Sequence, residues 1–319
     1  PNQFCNLSEV VVRADDTLDS LKEKVRIAAI LGTLQATLTD FRYLRAIWKK
    51  NTEEEALLGV SLTGIMDAKI TSSGKDLDMV LNTLREVAIE TNKKWADILG
   101  VKQAAAITCV KPSGTVSQLV NSASGIHPRF SPYYIRTVRA DSKDPMAQYM
   151  LQAGFPCEVD STKVTRKPSV DGSRVHLKPT EQDLYHGTTL VFSFPVKSPK
   201  GAIYTTDMGA LEQLKLWKIY QDNWCEHKPS ITVYYKDDEF FDICSWMWKN
   251  FDMMSGISLL PYSDHTYDQA PYTECTEAQY SAVLKIMPEF DWQALSAFEF
   301  EDMTTGSQEL ACVGGMCEI

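Results

Sequence analysis

The sequence lacks the features of a membrane protein, a disulfide-rich secreted protein or a nucleic-acid-binding protein. No apolar run approaches the roughly 18 residues of a membrane-spanning helix, and the first ten residues have neither a basic nor an apolar signal region. Acidic residues outnumber basic ones by 42 to 32, for a net charge of −10, whereas binding to nucleic acid needs clustered Lys and Arg. Eight cysteines in 319 residues are too sparse for a disulfide scaffold and favour a reducing compartment. We therefore expect a cytoplasmic protein without membrane or nucleic-acid partners.

Short β-rich runs alternate with long helical periods along most of the chain. Strands are predicted at 8–12, 59–64, 104–110, 133–140, 188–196, 230–236 and 256–261, and helices at 15–40, 77–99, 144–154, 207–227, 238–251 and 276–287. Repeated β–α–β order with nearly continuous apolar strands predicts an α/β protein with a parallel sheet covered by helices, either doubly wound or closed into a barrel. Beyond about residue 300 the sequence becomes acidic and aperiodic. We therefore expect one domain over 1–300 and a mobile tail over 301–319.

The segment KPSGT follows the predicted strand 104–110 and precedes the short helical segment TVSQLV. Backbone N–H groups at such a junction can bind an anion, and in a parallel α/β sheet the junction lies where substrates usually bind. An ordinary Pro-Ser-Gly turn that caps a helix explains the same residues, and the sequence pattern alone favours that interpretation slightly.

Two cysteines, Cys312 and Cys317, enclose the segment Val-Gly-Gly-Met close to the end of the sequence. Two glycines allow the chain to fold back so that the sulfurs can meet. The pair could be half of a zinc site, although no second close cysteine pair completes one, or two incidental cysteines. It could also be a dithiol that exchanges with a disulfide elsewhere. Between residue 300 and Cys317 a random coil would span about 20–25 Å.

Other candidate residues carry weaker signals. Cys5 precedes the first strand, and a lone cysteine is usually a small buried hydrophobic residue. Cys109 is an ordinary thiol by the same reasoning. His127 and His227 lie near strand ends, where a histidine that bonds the backbone is the more common case than a ligand.

Several motifs, taken together and in order, carry a resemblance to a known family. They are FCNLSEVVV, TCVKPSGTVSQL, SGIHPRFSPYYIRTVR, WCEHKPSITVYYKDDE, LPYSDHTYDQAPY and ELACVGGMC. The chain resembles the C-terminal half of the monomeric, adenosylcobalamin-dependent (class II) ribonucleoside-triphosphate reductases over essentially its whole length. The resemblance implies roughly half of the family's ten-stranded α/β barrel.

The resemblance also implies roles for individual residues. In this family a thiyl radical on one cysteine activates the ribose, a cysteine pair reduces it and becomes a disulfide, and tail cysteines restore that pair. Cys5 resembles one member of the reducing pair, and Cys312 and Cys317 resemble the tail pair. The loop that holds the substrate phosphates corresponds to Pro112, Ser113, Gly114, Thr115 and Val116. The implied cofactor is adenosylcobalamin, with no metal site, and the implied partners are a ribonucleoside triphosphate and a thioredoxin-like dithiol protein.

The motif of the thiyl cysteine, Asn-Pro-Cys-Gly-Glu, would precede Cys5 and is not in this sequence. We therefore expect the C-terminal component of a split reductase, which is active only with an N-terminal polypeptide. An inactive scaffold that only binds a partner is the first alternative. A free-standing phosphate-binding enzyme is the second, although half a barrel would expose sheet edges and apolar faces.

Overall fold

A computed structural model describes residues 2–161, 178–186, 188–262 and 269–299, and the backbone at 312–313 and 316–317. The chain divides into two compact units. The first comprises Pro1–Arg129 and Pro199–Ser263, and the second comprises Phe130–Ser198 and Asp264–Glu318. The assignment of residues 1–300 to one barrel half stays a prediction.

Strands and helices alternate in the first half of the chain, as predicted. The strands are β1 (Asn6–Val11), β2 (Leu58–Thr63), β3 (Thr108–Cys109), β4 (Tyr133–Asp141), β5 (Cys157–Val159), β6 (Thr189–Lys197), β7 (Ile231–Tyr235), β8 (Ile257–Pro261), β9 (Tyr272–Glu274), β10 (Cys312–Val313) and β11 (Met316–Cys317). The helices are α1 (Leu18–Gln35), α2 (Ala46–Glu55), α3 (Lys69–Ser72), α4 (Leu77–Leu99), α5 (Val116–Leu119), α6 (Pro145–Ala153), α7 (Glu181–His186), α8 (Ala210–Asn223), α9 (Phe240–Asn250), α10 (Glu277–Ile286) and α11 (Trp292–Leu295).

The first unit contains a parallel sheet in the order β1-β2-β3. Asn6 pairs with Leu58 at one end of β1, and Ser61 of β2 pairs with Cys109 of β3. A second parallel pair, β7 and β8, follows in the same unit. The prediction of parallel strands is therefore confirmed for this unit.

Helices α1 and α4 cover one face of the three-stranded sheet. Helix α1 begins at a capping box in which Thr17 and Ser20 each bond the other's backbone N–H, and α4 ends at Gly100, which adopts the left-handed conformation. Their apolar faces bury Leu21, Val25 and Leu84 completely. Each fully buried aliphatic side chain contributes about 1.5–3 kcal/mol relative to exposure, so this layer fixes the position of the sheet.

Three large aromatic side chains in α8 or directly after it are fully buried. Trp217 Nε1 donates to the carbonyl of Pro229, Tyr220 Oη donates to the carbonyl of Thr71, and Trp224 Nε1 donates to the carbonyl of Cys109 at 2.8 Å. Buried Trp and Tyr need such polar partners. The Trp224 bond ties the end of β3, and hence the start of the loop that follows it, to the core.

The second unit differs from the prediction of a parallel sheet. Its four-stranded sheet has the order β5-β6-β4-β9, and β4 is antiparallel to both β6 and β9. In β4 the buried Tyr134 and Thr137 are interspersed with the partly exposed Arg136 and Val138. A strand with one polar face suits an antiparallel sheet that is covered on one side, which is why the parallel interpretation was wrong here.

A mixed α/β architecture is therefore established, in small sheets. Within the described residues, no helix combines the length and the apolar composition that crossing a lipid bilayer requires.

Candidate active site

The site lies on the face of the β1-β2-β3 sheet that α1 does not cover. Ser8 Oγ donates to the carbonyl of Ala28 in α1 at 2.9 Å, which fixes the side of β1 that faces the helix. Because successive side chains of a strand point to opposite faces, Cys5 and Glu9 face the other way. The register aligns Glu9 with Ser61 and Ser61 with Cys109 across the sheet.

Two thiols approach the same point on this face. A Cβ atom placed on Gly59 would lie 3.2 Å from Cys5 Sγ and 3.5 Å from Cys109 Sγ. The absence of a side chain at Gly59 therefore gives both sulfurs room beside β2. Neither cysteine forms a disulfide.

Burial keeps these thiols protonated at neutral pH. It raises the pKa of the half-buried Cys5, and it raises the pKa of Cys109 to about 12. The positive charge of Lys111, two residues after Cys109, opposes both shifts. The structure brings Cys109, which the sequence analysis treated as ordinary, next to Cys5, and the reactive role of Cys5 stays a prediction.

Glu9 brings a carboxyl group to the same face. Burial raises its pKa, and the hydroxyls of Ser113 and Thr63, which face the carboxyl, partly offset that rise. The sequence analysis did not identify Glu9. The only available signal was its spacing from Cys5, because residues four apart on a strand share a face.

The predicted phosphate loop, Pro112–Val116, follows β3 directly. Its helix is a single turn, and Ser113 adopts a left-handed conformation with φ 57°. Within the described chain, the backbone N–H groups of residues 113–116 donate to no protein acceptor. These four amides, including that of Ser113, form a local donor cluster of the kind that binds anions.

The segment 121–125 packs against the start of the loop and bonds its backbone. Ser124 Oγ donates to the carbonyl of Pro112 at 2.9 Å, and Lys111 N donates to Ser61 Oγ. Gly125 has φ +51°, and a Cβ there would lie 2.4 Å from the carbonyl oxygen of Lys111. Only glycine fits this close approach.

The buried ion pair of Asp67 and Arg129 is hydrogen-bonded to the segment 121–125. Arg129 Nε and Nη2 donate to the two carboxylate oxygens of Asp67, each at 2.8 Å, and both side chains are almost fully buried. Arg129 also donates to Asn121, and Asp67 Oδ2 accepts from Ala123 N. The pair thus fixes the backbone on which the loop rests.

Both candidate histidines bond the backbone, as the sequence analysis favoured. His127 Nδ1 lies 2.8 Å from the carbonyl oxygen of Ser124, and its Nε2 accepts from Thr232 N at 2.9 Å. Burial lowers the pKa of His127. His227 Nε2 bonds the carbonyl of Leu58. In the described part of the chain, no group of three His, Cys, Asp or Glu side chains could hold a metal ion.

The two tail cysteines face each other in backbone register. Strands β10 and β11 pair antiparallel, and Cys312 lies opposite Cys317. Opposed residues of antiparallel strands have Cα atoms about 4.5–5.5 Å apart, within the range that a disulfide spans. Most of the predicted mobile tail, 301–311 together with 314–315 and 318–319, lies outside the described residues.

Thiols, a carboxyl group and a donor-rich loop on one sheet face define a candidate site for reductive chemistry on an anionic substrate. No family model matches the chain. It is 25% identical over 324 residues to the adenosylcobalamin-dependent ribonucleoside-triphosphate reductase of Euglena gracilis, covering 99% of this chain and 40% of that protein. It is 24% identical over 352 residues to that of Lactobacillus leichmannii, covering 99% and 43%.

A protein of Dictyostelium discoideum described as a probable reductase of the same kind is 26% identical over 211 residues, or 65% of this chain and 25% of that one. Among solved structures, a B-12 dependent (class II) ribonucleotide reductase matches with a TM-score of 0.73 and 20% identity, covering 93% of this chain and 42% of the other. The resemblance to adenosylcobalamin-dependent ribonucleoside-triphosphate reductases is therefore confirmed. The chain spans less than half the length of these relatives.

Proposed function

We propose that this chain is the C-terminal component of an adenosylcobalamin-dependent ribonucleoside-triphosphate reductase, which converts ribonucleoside triphosphates to 2′-deoxyribonucleotides. The observation that carries the proposal is the sheet face that holds Cys5, Cys109 and Glu9, with the loop Pro112–Val116 following β3 and its Ser113 facing Glu9, in a chain whose sequence resembles these reductases throughout. The finer fold assignment, half of a ten-stranded barrel, is part of the same proposal.

Each predicted site residue has a role in this proposal. Cys5 is one member of the cysteine pair that gives two electrons to the ribose, and its partner and the thiyl cysteine come from the N-terminal part of the reductase. The free amides of residues 113–116 bind the phosphates. In the tail, Cys312 and Cys317 reduce the active-site disulfide by exchange and become a disulfide themselves, which a thioredoxin-like protein reduces. The opposed register of Cys312 and Cys317 supports this step, because the oxidised pair then needs little backbone change.

Adenosylcobalamin is proposed as the cofactor on the resemblance alone. When bound, it would supply the radical that activates the thiyl cysteine. The described residues offer no side-chain set that identifies a corrin site, and His127 already bonds the backbone through both ring nitrogens. We therefore assign no contact of this chain to the cofactor and derive no step through it.

An exposed apolar stripe on α1 supports the proposal that a further polypeptide packs against this chain. Ile27, Leu31 and Leu34 of α1 each expose about half of their surface, and they recur at helical spacing on one side of the helix. Such a stripe is typical of a surface that packs against another protein segment. We propose that the N-terminal part of the reductase, on a separate polypeptide, completes the enzyme in the cytoplasm.

Reconstitution tests the proposal. This chain is mixed with the N-terminal polypeptide, adenosylcobalamin, a ribonucleoside triphosphate and a thioredoxin-like reductant, and deoxynucleotide is quantified. We expect product from the mixture and none from either polypeptide alone. Absence of product from the complete mixture would contradict the proposed function.

Substitution of the tail cysteines tests the exchange step. With the protein reductant, the variant Cys312→Ser/Cys317→Ser should stop after about one turnover, because the active-site disulfide is no longer reduced. A small dithiol should restore turnover by bypassing the tail. Cys244→Ser is the matched control, since Cys244 is an exposed free cysteine elsewhere in the chain. A scaffold without redox function would show no effect of either substitution.

A further inference from the structure

Two buried polar atoms beside the thiols have no hydrogen-bond partner among the described residues. They are Glu9 Oε1 and Ser113 Oγ. Folded proteins leave few buried polar atoms unpaired, because each costs about 1–3 kcal/mol. Two such atoms at the edge of a candidate binding loop indicate a group that the protein alone does not supply.

The two residues converge from different elements. Glu9 extends from β1 on the uncovered sheet face, and Ser113 stands in the loop after β3, where its hydroxyl faces the Glu9 carboxyl without forming a hydrogen bond to Oε1. The left-handed conformation of Ser113, with φ 57°, is uncommon for a residue with a side chain. Such conformations persist where the surrounding structure imposes them, and they occur often at ligand sites.

The nearest other hydroxyl cannot satisfy Glu9. Thr63 Oγ donates its single proton to the carbonyl of Ala123 and accepts from Gly125 N. A hydroxyl has one donor proton, and Thr63 gives it to Ala123, so the weaker interaction of Thr63 with the Glu9 carboxyl does not pair Oε1. Among the described residues, Glu9 Oε1 therefore has no donor and Ser113 Oγ no partner at hydrogen-bond distance.

The hydrogen-bonding needs of Glu9 Oε1 and Ser113 Oγ indicate which ligand group could pair with both. A carboxylate oxygen needs a donor, whereas the serine hydroxyl can donate to an oxygen. A hydroxyl group both donates and accepts, so one ligand hydroxyl can satisfy both atoms at once. A phosphate oxygen could accept from Ser113 but would meet Glu9 without a proton to offer. An ammonium group could donate to both atoms but would leave the Ser113 proton without an acceptor.

We propose that Glu9 and Ser113 form a subsite that binds one hydroxyl group of the substrate sugar, through a bond donated to Glu9 Oε1 and a bond accepted from Ser113 Oγ. This inference rests on the proposed function, because it takes the nucleotide phosphates to lie on the adjacent loop. Burial raises the pKa of the Glu9 carboxyl, and a bond donated by a ligand hydroxyl would compensate for the water that burial removes. Glu9 thereby orients the sugar between the loop and the Cys5 thiol.

Binding without turnover tests the subsite. The complete reductase, this chain with its N-terminal polypeptide, is titrated calorimetrically without reductant against a ribonucleoside triphosphate and its 2′-deoxy and 3′-deoxy analogues. We expect the wild type to bind the ribonucleotide more tightly than at least one deoxy analogue. Glu9→Ala should lower that ratio by about tenfold, the loss expected for one hydrogen bond to a carboxylate. Glu9→Gln, which keeps an acceptor, should retain part of the ratio.

Controls keep the outcomes distinct. Glu23→Ala is the matched control, since Glu23 is exposed on α1 and pairs with Arg26, and it should leave the ratio unchanged. If Glu9→Ala does not fold, as judged by circular dichroism, Ser113→Ala provides the same test. A wild type that binds none of the nucleotides would overturn the proposed function. A wild type that distinguishes ribose from deoxyribose, with the same ratio in the Glu9 and Ser113 variants, would overturn only the subsite and indicate that an ordered water fills it.

Discussion

The Asp67–Arg129 pair should be among the most sensitive polar interactions of the first unit. Arg129 is 4% exposed and Asp67 is 3% exposed, and the guanidinium makes two 2.8 Å bonds to the carboxylate. Arg129→Leu would remove both and leave the Asp67 carboxylate buried, with a hydrogen bond from Ala123 N. Removing one partner of a buried ion pair typically costs about 3–5 kcal/mol, and we expect a loss of that size in the free energy of unfolding.

Urea denaturation followed by tryptophan fluorescence measures this loss, because Trp217 and Trp224 are fully buried in the same unit. The control is Asp19→Asn, which removes an ion pair with Lys22. The Asp19 side chain in this pair is 92% exposed. That change should cost less than about 1 kcal/mol. A comparable, small loss in Arg129→Leu would refute the reasoning, since it would mean that water reaches the Asp67 carboxylate.

The same substitution should loosen the candidate loop. Arg129 donates to the backbone and side chain of Asn121, and Asp67 accepts from Ala123, so the pair orders the segment beneath residues 112–116. Hydrogen exchange should accelerate in 111–125 in Arg129→Leu and stay unchanged in α4. The double variant Asp67→Leu/Arg129→Leu should recover much of the stability, because a buried pair replaced by apolar side chains is often neutral.

Two further predictions concern the same segment. Burial lowers the pKa of His127 below its ordinary 6.5, so the unfolded chain binds a proton first, and the stability that His127 contributes should be complete above about pH 6.5 and decline as the pH falls below it. His127→Gln should flatten that decline in urea titrations between about pH 8 and pH 5, and an unchanged slope would contradict the assignment. Gly125→Ala should lower the free energy of unfolding by more than about 2 kcal/mol, for two reasons. The left-handed conformation strains a residue with a side chain, and the new Cβ would lie only 2.4 Å from the Lys111 carbonyl oxygen. Gly100→Ala, with φ +69° and nothing within 4 Å of its Cβ, is the matched control and should cost only the strain, so equal losses would disprove the clash.

Helices with strong periodicity were predictable to within a few residues. Helix α4 runs over Leu77–Leu99, as the sequence predicts, because its apolar residues repeat at helical spacing and Gly100 ends it. Helix α2, Ala46–Glu55, was missed, since its ten residues bury only Thr52 and therefore leave almost no apolar pattern. Local sequence thus identifies an element in proportion to how much of it is buried in a regular pattern.

Strand pairing was predictable for one unit and wrong for the other. In β2 all six residues are buried, which is typical of a parallel strand covered on both faces. In β4 polar and apolar residues are mixed along nine positions, and the strand pairs antiparallel with β6 and β9. The β–α–β order was the same in both cases, so the side-chain pattern within a strand was the better guide to its direction of pairing.

The candidate site contains residues of two kinds: those that belong to one sequence motif, and those that become neighbours only through strand pairing. Cys5 and the loop Pro112–Val116 stand in contiguous motifs, so the sequence alone could nominate them. Glu9 and Cys109 are more than ninety residues apart and become neighbours only through the register of each with Ser61 on β2. Gly59 also contributes, because its lack of a side chain leaves room for the sulfurs of Cys5 and Cys109. A resemblance therefore transfers residues that stand in contiguous motifs, whereas neighbours that are distant in sequence are identified only when the strands are aligned.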